Sequence, residues 1–202
     1  MKNKALIPAG LIALFIVLLL ALLLWQPEIE ETSMTPSLPM GGDFVLNSSE
    51  GEVDLKHYRG KVVAIYFGYT WCPDICPTSL SLLSAAMSGL TPRELGQIQG
   101  FFITLDPARD DVGRLKEYAH YFNEKIMGVA GTADEIAEVA ARYGVVYRQT
   151  EADENGNYSV DHSSRIYLVD GTGKLRKVLQ HGTSSENILV ALRQLLQELG
   201  GS

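Results

Sequence analysis

The segment Lys61-Val62-Val63-Ala64-Ile65-Tyr66-Phe67-Gly68-Tyr69-Thr70-Trp71-Cys72-Pro73-Asp74-Ile75-Cys76-Pro77 decides the fold. Residues 62–67 are a continuous apolar run, as expected of a strand buried on both faces. A short loop follows and holds the only two cysteines of the chain, four positions apart. From Pro77 onward, Leu80, Leu82, Leu83, Ala86, Met87 and Leu90 recur at helical spacing. Proline suits the first position of that helix, where its missing N–H costs no hydrogen bond. Phe101-Phe102-Ile103-Thr104-Leu105 then repeats the buried-strand pattern. Strand, helix, strand in this order predicts a parallel crossover.

The pattern continues to the C-terminus. Residues 111–122 predict a second helix with Val112, Leu115, Tyr118 and Phe122 inward. A third begins at Thr132, whose capping box closes on Glu135, and buries Ile136, Val139, Ala140 and Tyr143. Residues 144–147 read as a short strand. Residues 165–169 and 175–179 flank Gly171-Thr172-Gly173, a hairpin signal. A last helix starts near Thr183 and displays Ile188, Leu189, Leu192, Leu195, Leu196 and Leu199. The expected fold is therefore α/β and thioredoxin-like: a mixed central sheet flanked by helices, with a C-terminal β-hairpin and helix. In that layout the active cysteines sit where the first core strand feeds its helix, and open α/β sheets place their sites in the crevice beyond the strand ends.

Upstream of this domain, Ala5 to Trp25 contains no charged side chain. A run of about 20 apolar residues spans the hydrocarbon core as a helix. Lys2 and Lys4 precede it, while Glu28, Glu30 and Glu31 follow, which predicts a cytoplasmic N-terminus and an exported remainder. The run is longer than a signal-peptide core and ends in Trp25-Gln26-Pro27 without a small-residue cleavage site, so an uncleaved anchor is expected. No cysteine follows the run to carry a lipid. The expected organisation is a cytoplasmic start and transmembrane signal anchor over 1–25, a tether rich in Pro, Ser, Thr and Glu over 26–42, and one exported domain over 43–202. Its roughly 160 residues suffice for a single substantial core. Without Lys2 and Lys4, and without Glu28, Glu30 and Glu31 of the tether, the domain keeps 15 basic residues against 21 acidic. So acidic a domain excludes nucleic acid as a partner.

Two thiols this close are either a redox pair or part of a soft-metal site. Three residues separate them, one more than in the usual thioredoxin pair. An oxidising compartment permits a disulfide there, and thiolates also select Cu(I) and Zn. Two thiolates are too few for a closed metal site, so a third ligand is needed. His57 precedes the first core strand, His120 lies within a predicted helix, and His181 stands beside Gly182 in a turn; each reads as a surface or packing residue. His162, in Asp161-His162-Ser163-Ser164, leads into the strand at 165–169. In a thioredoxin-like fold the loop entering that strand faces the cysteine loop, where a cis-proline usually sits; here Ser164 takes about that position. His162 is therefore the candidate third ligand. Met34 and Met40, soft donors in principle, fall in the tether and read as incidental.

Phe67-Gly68-Tyr69-Thr70-Trp71-Cys72-Pro73-Asp74-Ile75-Cys76-Pro77-Thr78, Leu105-Asp106-Pro107-Ala108-Arg109-Asp110 and Asp161-His162-Ser163-Ser164-Arg165-Ile166-Tyr167-Leu168-Val169-Asp170 resemble the three signature segments of the SCO/SenC family. The resemblance runs from about Gly41 to the C-terminus, and Trp71 departs from the residues common at its position. It implies a membrane-tethered metallochaperone, not an enzyme, that helps assemble the binuclear copper centre of cytochrome c oxidase subunit II. Carried over by position, the copper ligands are Cys72, Cys76 and His162, for Cu(I) or Cu(II). A periplasmic copper donor or thiol–disulfide reductase is implied as a further partner, and the bacterial inner membrane, with the domain in the periplasm, as the location.

Around these ligands, Asp106 and Arg109 have two readings: a turn at Asp106-Pro107 with Asp110 capping the next helix, or a rim that shapes the copper loop. Asp161 is the candidate acceptor that orients His162. The competing function is a thiol–disulfide reductase working through Cys72 and Cys76 alone. A peroxidase is weaker, since no thiol outside the pair is available. His162 separates metal binding from dithiol exchange.

Overall fold

The computed structural model describes residues 12, 14–20 and 39–200. The chain divides into two compact units, Met1–Ser37 and Leu38–Ser202. In the first, residues 14–20 are helical and exposed. Among the described residues no helix is long and apolar enough to cross a membrane. The rest of the expected anchor, and residues 26–38 of the tether, lie outside the described residues.

The second unit is built on a five-stranded mixed sheet. Its strands are β3 (Val62–Gly68), β4 (Ile98–Thr104), β5 (Ile126–Val129), β8 (Ile166–Val169) and β9 (Leu175–Leu179), in the order β5-β4-β3-β8-β9. β3 is buried at every position and sits in the middle. It pairs in parallel with β4, Ile65 opposite Phe101, and antiparallel with β8, Ile65 opposite Tyr167. This is the expected mixed sheet, and its all-apolar centre follows from cover on both faces. Tyr167 packs edge-on against Phe67 at 5.6 Å and Tyr143 at 5.7 Å.

Five helices flank the sheet: α1 (Ile75–Ser88), α2 (Pro92–Gly96), α3 (Val112–Phe122), α4 (Ala133–Arg142) and α5 (Ser185–Gly200). The α4 capping box forms as expected, with Thr132 N–H donating to Glu135 at 2.7 Å and Glu135 N–H to Thr132 Oγ at 3.3 Å. α1 begins two residues before Pro77, so Cys76 lies in its first turn. Pro77 still removes no hydrogen bond, because the first four N–H groups of a helix have no internal acceptor. The expected strand at 144–147 is displaced to β6 (Tyr147–Gln149). Gly144, at φ +64°, stands just past the end of α4, the left-handed position that closes helices.

Four strands escape the periodicity. β1 (Val45–Ser48) and β2 (Gly51–Asp54) form a hairpin too short to show alternation, and Asn47 bridges to Ala130 beyond the edge strand. In β5, Gly128 breaks the apolar pattern. A Cβ there would strike the backbone of Leu115, so the glycine is what lets α3 lie directly on the sheet. Finally, β6 pairs with β7 (Val160–His162) as a separate two-stranded ribbon.

Candidate metal centre

β3 ends at Gly68, and residues 69–74 carry the chain to α1. A Cβ on Gly68 would lie 2.7 Å from Cys76 Sγ and 2.9 Å from the Phe102 ring. Only a hydrogen at that position lets the Cys76 thiol nest against the strand end, where it is fully buried. Cys72 sits half-buried above it. The helix N-cap, Asp74, makes no side-chain cap; instead Cys72 Sγ accepts the Cys76 N–H at 3.4 Å. Sulfur thus does the capping that an Asp or Ser oxygen usually performs.

The third member arrives from the other end of the chain. β6 and β7 place Tyr147 opposite His162, and Ser163 N–H donates to the Val146 carbonyl at 2.9 Å. His162 Nε2 lies 3.4 Å from Cys76 Sγ. Tyr66 and Tyr69 flank the imidazole edge-on, at 6.3 Å and 6.1 Å. One ligand atom each from Cys72, Cys76 and His162 lie within 4.8 Å of one another, and no other group of three such side chains occurs among the described residues. His57 lies in a 3-10 helix, His120 on α3, and His181 on the surface with its ring 3.2 Å from Ser79 Oγ.

The two thiols are electrostatically unequal. Cys72 is held down to about 3, first by the thiol hydrogen bond from Cys76, against the opposing cost of burial, with His162 and the N–H groups of Cys76 and Asp74 also favouring the thiolate. Cys76 is pushed far up by the same hydrogen bond and by burial. Both shifts favour the charge on Cys72 and the proton on Cys76. Tyr66 is pushed far above its usual range, first by burial, which keeps its hydroxyl neutral. The donors fit a soft ion. Bonds of about 2.0–2.3 Å to one centre would put them roughly 3.5–4 Å apart, so only a small closure is required. A cleft of about 320 Å³ opens onto Cys72 and His162 between Pro73, Ile75 and Val160.

Asp106 and Arg109 join the cysteine side to the histidine side. Buried Asp106 accepts from Arg109 Nε at 2.5 Å and from the Tyr158 hydroxyl at 2.9 Å. Arg109 donates to the Tyr158 carbonyl at 3.0 Å and stacks 3.5 Å from that ring's centroid. Its guanidinium also lies 5.9 Å from both the Tyr69 and the Trp71 rings. The turn at Asp106 forms too, with Arg109 and Asp110 N–H groups donating to its carbonyl.

Two expectations are corrected. Asp161 does not hold His162: its carboxylate is exposed and faces Arg148 at 3.4 Å, while His162 Nδ1 is buried without a partner among the described residues. Adjacent strand residues point to opposite faces, so Asp161 and His162 diverge. Asp110 does not cap α3; Asp111 does, accepting from Arg114 N–H at 2.8 Å. Asp110 is instead 1% exposed and bound to Thr70 and Thr104. Local sequence held no signal for that, because the three residues meet only through the sheet.

Known proteins resemble this chain in sequence and fold. The SCO1/SenC family model matches residues 32–197. An SCO2-like protein of Rickettsia conorii is 37% identical over 159 residues, 78% of this chain and 77% of its own. The copper-bound crystal structure of Arabidopsis thaliana ScoI superposes with a TM-score of 0.71 at 33% identity, over 79% of this chain and 99% of that one. Copper-bound yeast Sco1 gives a TM-score of 0.70 at 32% identity, over 81% and 90%.

Proposed function

The chain belongs to the SCO1/SenC family, and from that premise we propose that it is a copper metallochaperone of cytochrome c oxidase assembly. The observation that carries the reading is the convergence of Cys72, Cys76 and His162 within 4.8 Å. Two sulfurs and an imidazole make a near-trigonal soft set, suited to Cu(I) and, with one weak added ligand, to Cu(II). Relatives of similar fold bind copper in their crystal structures. Binding replaces the Cys76 proton with the metal, and half-exposed Cys72 is the donor an incoming ligand can displace. Delivery by ligand exchange to the binuclear copper site of oxidase subunit II completes the reading. Copper titration of the reduced full-length chain tests it. Tight binding of about one copper per chain is expected, lost in Cys72→Ser and His162→Ala; a His162→Ala variant that binds like wild type overturns the three-ligand site.

A second reading, thiol–disulfide reduction of the oxidase cysteines, is favoured by one observation: a half-exposed low-range thiolate beside a buried thiol. That is the profile of an attacking and a resolving cysteine. An oxidase-assembly assay divides the two, because reduction needs no imidazole. Full activity in His162→Ala with loss in Cys72→Ser selects the reductase.

Lys2, Lys4 and the uncharged run from Ala5 to Trp25 support an inner-membrane anchor with the domain in the periplasm. Protease added to intact spheroplasts should remove the domain; protection would overturn this placement.

A further inference from the structure

Asp110 is a buried carboxylate for which the three-ligand site has no use. One oxygen accepts the Thr70 hydroxyl at 2.5 Å; the other accepts the Thr70 N–H at 3.0 Å and the Thr104 hydroxyl at 2.8 Å. The Asp110 N–H donates to the Asp106 carbonyl at 3.0 Å, so the residue is also fixed through its backbone. Thr70 stands two residues before Cys72, in the loop that sets where the exposed sulfur lies. Arg114 closes the cluster from outside: its Nε donates to Thr70 Oγ at 2.5 Å, and its guanidinium lies 4.4 Å from the ring centroid of exposed Trp71. Burying a carboxylate is costly unless donors surround it, and here three donors and a cation do.

We propose that Asp110 is a positioning residue for the metal site, acting through Thr70 to hold the cysteine loop and Cys72 in register with Cys76 and His162. The proposal rests on Cys72 being a metal donor. A carboxylate is required because it accepts on both oxygens and donates on neither. In Asp110→Asn one oxygen becomes an NH2 group. In one orientation it faces Thr70 Oγ, which already takes the Arg114 N–H; in the other it faces the Thr70 N–H. In the first case the Thr70 hydroxyl can only accept and its own proton loses its acceptor; in the second a donor confronts a donor and the loop loses its tie to the end of β4. The Trp71–Arg114 stack is the outer half of the same brace, which gives the residue that departs from the family pattern a structural partner.

The test uses the reduced full-length chain in detergent micelles, as wild type, Asp110→Asn, Thr70→Val and Thr70→Ser. Cu(I) affinity is read by competition with a chromophoric chelator. Hydrogen exchange is compared between residues 69–76 and the core strand at 62–67. Asp110→Asn and Thr70→Val should weaken Cu(I) binding about tenfold or more, the scale for groups that orient metal ligands, while Thr70→Ser stays within about threefold of wild type. Exchange should quicken over 69–76 and not over 62–67. Wild-type affinity in Asp110→Asn and Thr70→Val, or equal acceleration of both segments, overturns the proposal. Should Asp110→Asn fail to fold, the Thr70 pair decides. If wild type binds no Cu(I), the copper reading fails, while the exchange comparison still decides whether Asp110 holds the loop.

Discussion

Cys76 Sγ lies 3.4 Å from His162 Nε2, although they stand 86 positions apart along the chain. The buried sulfur is the hinge of the site. It faces Gly68 at the end of β3, donates a hydrogen bond to the Cys72 sulfur, and meets the imidazole at the end of β7.

Gly68→Ala should damage the site from below. The new methyl would overlap Cys76 Sγ at 2.7 Å and the Phe102 ring at 2.9 Å, so the thiol must leave the position in which it meets His162. Overpacking of this kind costs about 1–3 kcal/mol. A lower urea midpoint together with weaker copper binding is expected; a variant with wild-type copper affinity would refute the close-approach argument.

Because the Cys72 thiol is lowered and the Cys76 thiol raised, copper binding near pH 7.5 should release about one proton, not two. Release of two protons into a weakly buffered titration would contradict the unequal pair.

The same pair makes the reduced fold pH-dependent. The Cys72 thiol is lowered from 9.0 to about 3, so its contribution is complete above the ordinary thiol range and shrinks as pH falls toward 3. Cys76 is raised, so it costs stability as pH climbs above that range. Between pH 8 and 4 the urea midpoint of the reduced protein should fall more steeply in wild type than in Cys72→Ser. Parallel slopes would remove the pair as the cause.

Arg109→Ala leaves buried Asp106 with only the Tyr158 hydroxyl and frees the segment that leads into β7. A loss of about 2–4 kcal/mol is expected, below the full buried-pair figure because Arg109 is partly exposed. Arg109→Lys should recover little, since an ammonium cannot bond both Asp106 and the Tyr158 carbonyl while stacking flat on the Tyr158 ring. Chemical denaturation of the three proteins checks both statements.

Asp161→Asn should leave Cu(I) affinity within about threefold, because the exposed Asp161–Arg148 pair is worth well under about 1 kcal/mol. A tenfold loss would mean that the carboxylate turns to His162 Nδ1 once the metal is bound.

The sequence by itself determined the elements that local chemistry dictates. The run at residues 62–67 had to be a central strand, because only cover on both faces accommodates six consecutive apolar side chains. Thr132 and Glu135 had to start a helix, and the glycines around Thr172 had to turn a hairpin. The two cysteines, four apart at the mouth of that strand, and a histidine leading into a later one were legible as candidate ligands. Tertiary structure alone decided what depends on distance across the sheet. It turned Asp161 away from His162 through strand alternation and buried Asp110 under Thr70. It also made Gly68 the floor of the site and divided one proton unequally between two sulfurs. Those outcomes follow from burial and from contacts between residues up to 86 positions apart, which no window along the chain contains.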